Sequence, residues 1–519
     1  MEYASNIRDF GAVGDGVNDD TKAVQDAIDN AVETGRYVVF MPPGVYRIKN
    51  RISLKSHVVL KGIRGKSKIL ISDFLDTKSE GILTNEHLSR AYNPDTADEI
   101  TIDGIDFEFT RVTTNHPKTI LFLANTQRAT IQNCSFLSTN PFAKTETTHL
   151  DLYACCKNTQ ILNCDFIHIN EGIGGCIWVR NLTSATSNLN GDITSNVEIA
   201  GCRFVKSSED EIIAVFSTRG DVRDVSIHDN TFRVTRDARM SFPFSIYPAD
   251  NNYHGGVENV TFAHNSVYME RINTFVFMLG REGRTNPCRR ISIKNNRFFV
   301  TIPDKVTVSL FYGNKPITDT RFEDNYLEVH GVPESKVNNT CVNIQDVHGN
   351  TIKGSPEKIL DYGIVRAQCV THNVLEYVRD AISMCRQVSH NTISHCRHAI
   401  TYSGEEDVIV SDNIISQCKQ GIIINGKTDA IASNNIITLD SEESSLRGIR
   451  IEHEKAWVTA MGNVITTYKK GDCAFCLVKG HLIRMGNIYK RNPAGEYQII
   501  REGSVTGIEG YTLEDSPDA

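Results

Sequence analysis

From residue 97 onward one short phrase keeps returning: an apolar residue, two polar or small residues, a small polar residue, one variable residue and another apolar one. Residues 131–136 (IQNCSF), 161–166 (ILNCDF), 227–232 (IHDNTF), 293–298 (IKNNRF) and 388–393 (VSHNTI) are examples. With the fourth position as landmark, the series is Ile105, Cys134, Cys164, Cys202, Asn230, Asn265, Asn296, Asn325, Asn350, Asn373, Asn391, Asn413, Asn434, Asn463 and Asn487. Most of these intervals fall in the band that marks solenoids. Short alternating strands punctuated by Asn, Asp and Gly fit neither helical repeats nor propeller blades. The phrase therefore predicts an all-β solenoid.

Stacking of like positions on neighbouring coils at the β spacing of about 4.8 Å would turn the landmark asparagines into an amide ladder. Asn at a tight corner tolerates left-handed backbone angles, and the three cysteines would continue the ladder as small buried groups. Ahead of the repeat, Asp19 or Asp20 can cap a helix whose Ala23, Val24, Ala27, Ile28 and Ala31 follow the 3.6 period. A buried strand over 38–41 and a Pro42-Pro43-Gly44 turn come next. The expected division is an N-terminal cap over 1–36, a parallel β-helix over 37–495, and a tail or cap over 496–519. The helix is expected to cover the open end of the solenoid.

The opening, Asn6-Ile7-Arg8-Asp9-Phe10-Gly11-Ala12-Val13-Gly14-Asp15-Gly16, then Asp19-Asp20-Thr21 and Pro42-Pro43-Gly44-Val45-Tyr46, resembles that of the pectate-lyase superfamily. The resemblance implies a single-stranded right-handed parallel β-helix acting on a carbohydrate polymer. The same opening is frequent in phage tailspikes and neck appendages, and in bacterial polysaccharide lyases, glycosidases and epimerases. It leaves the bond chemistry open.

Charge narrows the partners. With 55 Lys plus Arg against 63 Asp plus Glu the net charge is −8, which disfavours nucleic acid because such affinity comes largely from basic residues releasing counterions. No stretch approaches the roughly 18 apolar residues of a membrane span, and the first residues are polar, so neither membrane insertion nor a signal peptide is expected. The 14 cysteines are too dilute in 519 residues for a disulfide framework and read as reduced, packed thiols. These features favour the phage branch: a virion tail or neck appendage, homotrimeric by resemblance. A secreted bacterial protein is the alternative.

Gly14-Asp15-Gly16 lacks the Gly-Lys-Ser/Thr of a phosphate loop and the distal Glu of a calcium loop, so turn geometry accounts for it and no metal or cofactor is expected. Coil intervals lengthen between Cys164 and Cys202 and between Asn230 and Asn265, placing loops over the central coils, where binding groups concentrate. Strand parity aligns Asp151, Trp178 and Ala214 on an outward column, with Tyr153, Arg180, Phe216 and Tyr247 one step along. Glu209, Asp210 and Glu211 enter the next strand, where related β-helix glycosidases carry acidic pairs. Two β spacings of about 9.6 Å separate that turn from Asp151, close to the roughly 6.5–9.5 Å of an inverting acid–base pair.

The expected chemistry is inverting hydrolysis of a host-surface polysaccharide or teichoic acid, with Asp151 as base and a member of the acidic turn as acid. Trp178, Tyr153 and Tyr247 offer ring faces to sugars. His254 is a candidate proton carrier, and Arg180, Arg236 and Arg239 suit anionic groups. Trp457 reads as packing. Two alternatives use the same residues: a non-catalytic receptor-binding adhesin, and a lyase or epimerase for uronic acid polymers with Arg180, Arg236 or His254 as participants.

Overall fold

A computed structural model describes residues 4–501 apart from 77–78, 87–97, 111–118, 140–147, 170–173, 182–192, 208–210, 236–242, 250–254, 273, 304, 315–316, 443–444, 470 and 492–499. Residues 1–297 with 314–318 form one compact unit, and residues 298–313 with 319–519 form another. Both are built from coils of a right-handed parallel β-helix, each coil laying one strand on each of three parallel sheets.

In the N-terminal unit a representative coil runs from Asp221–His228 on the first sheet to Thr231–Val234 on the second and Phe244–Pro248 on the third. Alternate residues point inward, and like residues stack in register on successive coils. Phe107, Phe136, Phe166, Phe204 and Phe232 are the last apolar residues of their phrases and form one internal column. Their rings stack at centroid separations of 4.8, 5.0, 4.9 and 4.6 Å. One phrase per coil is thus one ring per layer, which is why the phrase predicts the fold.

The corner differs from expectation by one position. The left-handed residue is the third of the phrase, as at Asn133, Asn163, Asp229, His264 and Asn295, with φ between 53° and 56°. The fourth residue points inward instead, and its amide satisfies the backbone that the corner frees. Asn265 donates its backbone N–H to Asn296 Oδ1 (2.9 Å) and its Nδ2 to both that oxygen (3.0 Å) and the Ile227 carbonyl (3.0 Å). Cys134, Cys164 and Cys202 stand at the same place, with Sγ donating to carbonyls of their own and the preceding coil.

The C-terminal unit has shorter coils and a longer ladder through Asn325, Asn350, Asn373, Asn391, Asn413, Asn435, Asn463 and Asn487. Asn435, not Asn434, is the ladder residue; Asn434 is the left-handed corner before it. All fourteen cysteines are free thiols.

The helix is Thr21–Glu33, with Ala23, Val24, Ala27, Ile28 and Ala31 buried against the first coils. Asp19 does the capping, accepting from the Thr21 N–H at 3.0 Å, while Asp20 is turned back to accept from the Val13 N–H at 2.7 Å. Gly14 needs its positive φ of 69°, and the Tyr46 ring beneath it leaves no room for a Cβ, so this glycine is structural.

Candidate functional site on the third sheet of the N-terminal unit

Four strands of the third sheet bring the candidate residues together: Thr148–Ala154, Ile177–Asn181, Ile213–Ser217 and Phe244–Pro248. Their register pairs Asp151 with Trp178 and Trp178 with Ala214, and Arg180 with Phe216 and Phe216 with Tyr247. Tyr153 is the extra residue of a bulge where Ala124 pairs with Ala154 rather than with its register partner. Such bulges re-aim side chains, and this one sets the Tyr153 ring 4.8 Å from that of Phe122.

The centre of the face is one ion pair. Arg180 forks onto Asp151, Nε donating to Oδ1 at 2.9 Å and Nη2 to Oδ2. The guanidinium lies 4.6 Å from the centre of the Tyr153 ring, 5.0 Å from Trp178 and 5.7 Å from Phe216. A planar cation satisfied by a carboxylate in its plane and by rings above it is rigid. Phe216 and Tyr247 extend the row, stacked at 5.5 Å and 7°, and Arg281 lies 5.5 Å over the Tyr247 ring.

Asp151 is 1% exposed, not on the solvent side as strand parity alone suggests. Arg180 of the next coil reaches back onto it, a contact that alternation within one strand cannot report. Burial pushes its carboxyl pKa up, Arg180 pulls it back, and the charge of Glu80 adds to the rise. The upward direction follows from the near-complete loss of water. Ala214 is buried as well, and so is Tyr153, which packs with Phe122 and offers no ring face to a sugar as its parity suggests, whereas Trp178, Phe216 and Tyr247 are half-buried. The indole N–H of Trp178 lies against Gly175, where a Cβ would stand 2.5 Å from Nε1.

Glu211 sits just ahead of Ile213–Ser217, buried, with Oε1 accepting from Ser245 Oγ at 3.2 Å. Lys206, sealed in the coil interior, donates to the Glu211 carbonyl at 3.0 Å and to that of Gly174. It fixes the backbone at Glu211, just ahead of the strand, from within the coil. Glu211 lies three residues upstream of the Asp151 rank, adding roughly 10 Å along the strand to the axial distance. Glu209, Asp210, His254, Arg236 and Arg239 lie outside the described residues.

Sequence reasoning missed Lys206 and His149. Lys206 holds an inward position two residues after Phe204, where other coils carry Phe109 or Val234, and that parity was the available signal. His149 stacks near Phe136 and Phe166, and burial, reinforced by Lys206, pushes it down to about 3. A rank on the third sheet of the C-terminal unit was also missed. Tyr362, Asp380 and His398 stand in register, Asp380 accepts from Arg379 Nε at 3.1 Å and pairs with His398 Nδ1, and Arg379 reaches Asp361 at 2.8 Å. Among the described residues no group of three or more His, Cys, Asp or Glu is placed to hold a metal ion.

Comparison with known proteins places the fold among pectate-lyase-like β-helices. Residues 4–204 match the family model described as rhamnogalacturonase A/epimerase, pectate lyase-like, and residues 348–471 match the one described as periplasmic copper-binding protein (NosD). Alginate lyase 7 of Azotobacter vinelandii is 38% identical over 112 residues, 20% of this chain and 13% of that protein. Plasmin and fibronectin-binding protein A of Streptococcus pneumoniae is 46% identical over 70 residues, 13% of this chain and 10% of that protein. Thus the chain spans a small fraction of these relatives' lengths. Among solved structures, a tailspike protein of E. coli bacteriophage HK620 in complex with pentasaccharide aligns over 88% of this chain and 81% of its own, at 12% identity and a TM-score of 0.49.

Proposed function

We propose that the third-sheet face of the N-terminal unit binds a carbohydrate polymer, as part of a surface-attachment protein carried on a virion or displayed outside a bacterial cell. The observation that carries this reading is the pinned row of rings. Trp178, Phe216 and Tyr247 present half-buried rings on three successive coils, and Arg180, locked to Asp151, braces the first two from above the buried Tyr153 ring. Rings on successive coils repeat at about 4.8 Å, close to the length of one pyranose unit, so a linear glycan running across the coils meets one platform per sugar. Apolar C–H faces of sugars stack on such rings, whose edges keep a polar handle. The sequence relatives named for alginate and mannuronan chemistry support a polymer of sugars.

Electrostatics refine the substrate. Asp151 already neutralises Arg180, and Glu80 adds negative charge beside them. A weakly charged polymer suits this neutralised centre better than a uronic acid chain, for which the exposed Arg281 at the Tyr247 end of the row would be the cation. The site's polar groups therefore support binding first. Hydrolysis is the second reading, favoured by the carboxylate of Glu211, which Ser245 and the Lys206 strut hold beside the same strands. In that reading the Glu209–Asp210–Glu211 turn supplies the acid, but Glu211, roughly 10 Å along the strand and two coils from Asp151, is farther from it than the roughly 6.5–9.5 Å of an inverting pair.

Incubation of the full chain with bacterial capsules, teichoic acids, pectin and alginate, followed by affinity and fragment-mass measurements, tests both. Binding of a weakly charged polymer that weakens about tenfold, or ~1.4 kcal/mol, in Trp178→Ala is the expected result. Fragments carrying one added water establish hydrolysis, and fragments absorbing in the ultraviolet establish elimination instead. Polymer bound at full length by both wild type and Glu211→Gln leaves an adhesin. Affinity that is indifferent to Trp178→Ala and Tyr247→Ala contradicts the proposal.

A further inference from the structure

The outer face of the first sheet in the C-terminal unit carries a cavity of about 560 Å³ with an organised lining. It is an open depression lined by Ile409, Ile431 and Thr459, which stand in one register row, and by Asp407, Asp429 and Trp457 beside them. Trp457 is not packing: it is 45% exposed, because Val458 and Ala460 take the inward positions of its strand. On the following coil His481 covers one face of the indole, with centroids 3.9 Å apart and planes 14° apart. Asp429 is its register partner on the preceding coil, the side on which the cavity lies.

We propose that this cavity is a second glycan-binding site, for a chain of uncharged or amino sugars. Three features select that ligand. An indole held flat by a stacked imidazole is a fixed platform for a pyranose ring, free of the ordering cost a mobile side chain would add. Two carboxylates one coil apart accept hydrogen bonds from hydroxyl or ammonium groups. The lining holds acids and no Lys or Arg, so it repels uronates, phosphates and sulfates. The cavity volume lies within the range of small-ligand sites. Nothing in this assignment draws on the N-terminal face, so either site can fail alone.

The chain contains two tryptophans, so Trp178→Phe leaves Trp457 as the sole indole reporter. Its fluorescence is to be titrated with cellohexaose, the glucosamine hexamer and an alginate hexamer. A saturable change with cellohexaose or the glucosamine hexamer below about 1 mM is expected, with none for alginate. For the amino sugar, Asp407→Asn combined with Asp429→Asn is expected to weaken binding about tenfold or more. Hydrogen exchange over 457–461 in the unaltered chain, with the same hexamers, measures the same binding should Trp178→Phe fold poorly. No change with either favoured hexamer by both methods, or an equal response to alginate, overturns the site.

Discussion

The two units answer the same folding problem differently. In the N-terminal unit the corner landmarks Cys164, Cys202, Asn230, Asn265 and Asn296 are 38, 28, 35 and 31 residues apart. In the C-terminal unit the steps from Asn325 to Asn487 are 25, 23, 18, 22, 22, 28 and 24 residues. Short coils go with an unbroken run of amides, each oxygen accepting from the backbone and side chain of the coil before. Thiols close corners in both units, at Cys134, Cys164 and Cys202 in the long coils and at Cys385, Cys396 and Cys418 in the short ones, but the long coils add a buried ion pair and a buried histidine. The regular unit places its polar groups in self-satisfying rows, whereas the irregular one concentrates charge and rings on one face of one sheet. The N-terminal face is thus found where regularity is given up, whereas the cavity beside Trp457 rests on regular coils.

The largest effect expected from breaking this contrast is at the ion pair. Arg180→Ala leaves the Asp151 carboxylate buried without its partner and is predicted to destabilise the N-terminal unit by roughly 3–5 kcal/mol, measured by urea unfolding. The double change Asp151→Leu with Arg180→Met should recover much of that loss while weakening polymer binding.

Acid gives the next effect. His149 is held neutral down to about 3, against 6.5 when exposed, so the unfolded chain takes up its proton first. Stability from this residue is complete above pH 6.5 and is lost progressively as pH falls towards 3, a span worth up to roughly 5 kcal/mol. His149→Phe should flatten acid unfolding of the N-terminal unit over that window. Asp380 carries the same sign over a lower range. Burial alone would raise it, but hydrogen bonds from His398 and Arg379 outweigh burial and lower it. Its contribution is present above its ordinary pKa and is lost below, and Asp380→Asn should remove that part.

The amide and thiol corners sharpen the comparison further. Asn413 donates through Nδ2 to the Val388 and Ser411 carbonyls and to Asn435 Oδ1, while its own oxygen accepts from Asn391. Asn413→Ala orphans several buried groups and is expected to cost roughly 3 kcal/mol. Cys164→Ala, which loses only weak thiol bonds and a small volume, should cost about 1 kcal/mol. Equal losses at the two positions would remove the distinction between amide and thiol corners.

The coil architecture was legible because each phrase supplies one inward Phe or Ile and one corner, and stacking forces these into register. The corner was placed one residue late, at the landmark instead of at Asn133 or Asp229, because Asn suits both a left-handed backbone and an inward amide. The choice of Asn434 over Asn435 is the same ambiguity in an Asn-Asn pair. Alignment of Asp151 with Trp178, and of Arg180 with Phe216 and Tyr247, followed from parity. The burial of Asp151 did not, since it depends on side chains arriving from coils about 30 residues away. Trp457 shows the converse: read as packing, it stands outward, because Val458 and Ala460 take the inward positions of its strand.

Hydrogen exchange of the full chain, free and saturated with the polymer that binds it, tests the central claim most directly. Slowed exchange over 148–154, 177–181, 213–217 and 244–248 is the predicted result. Saturation that leaves all four strands exchanging at their free rates would contradict it.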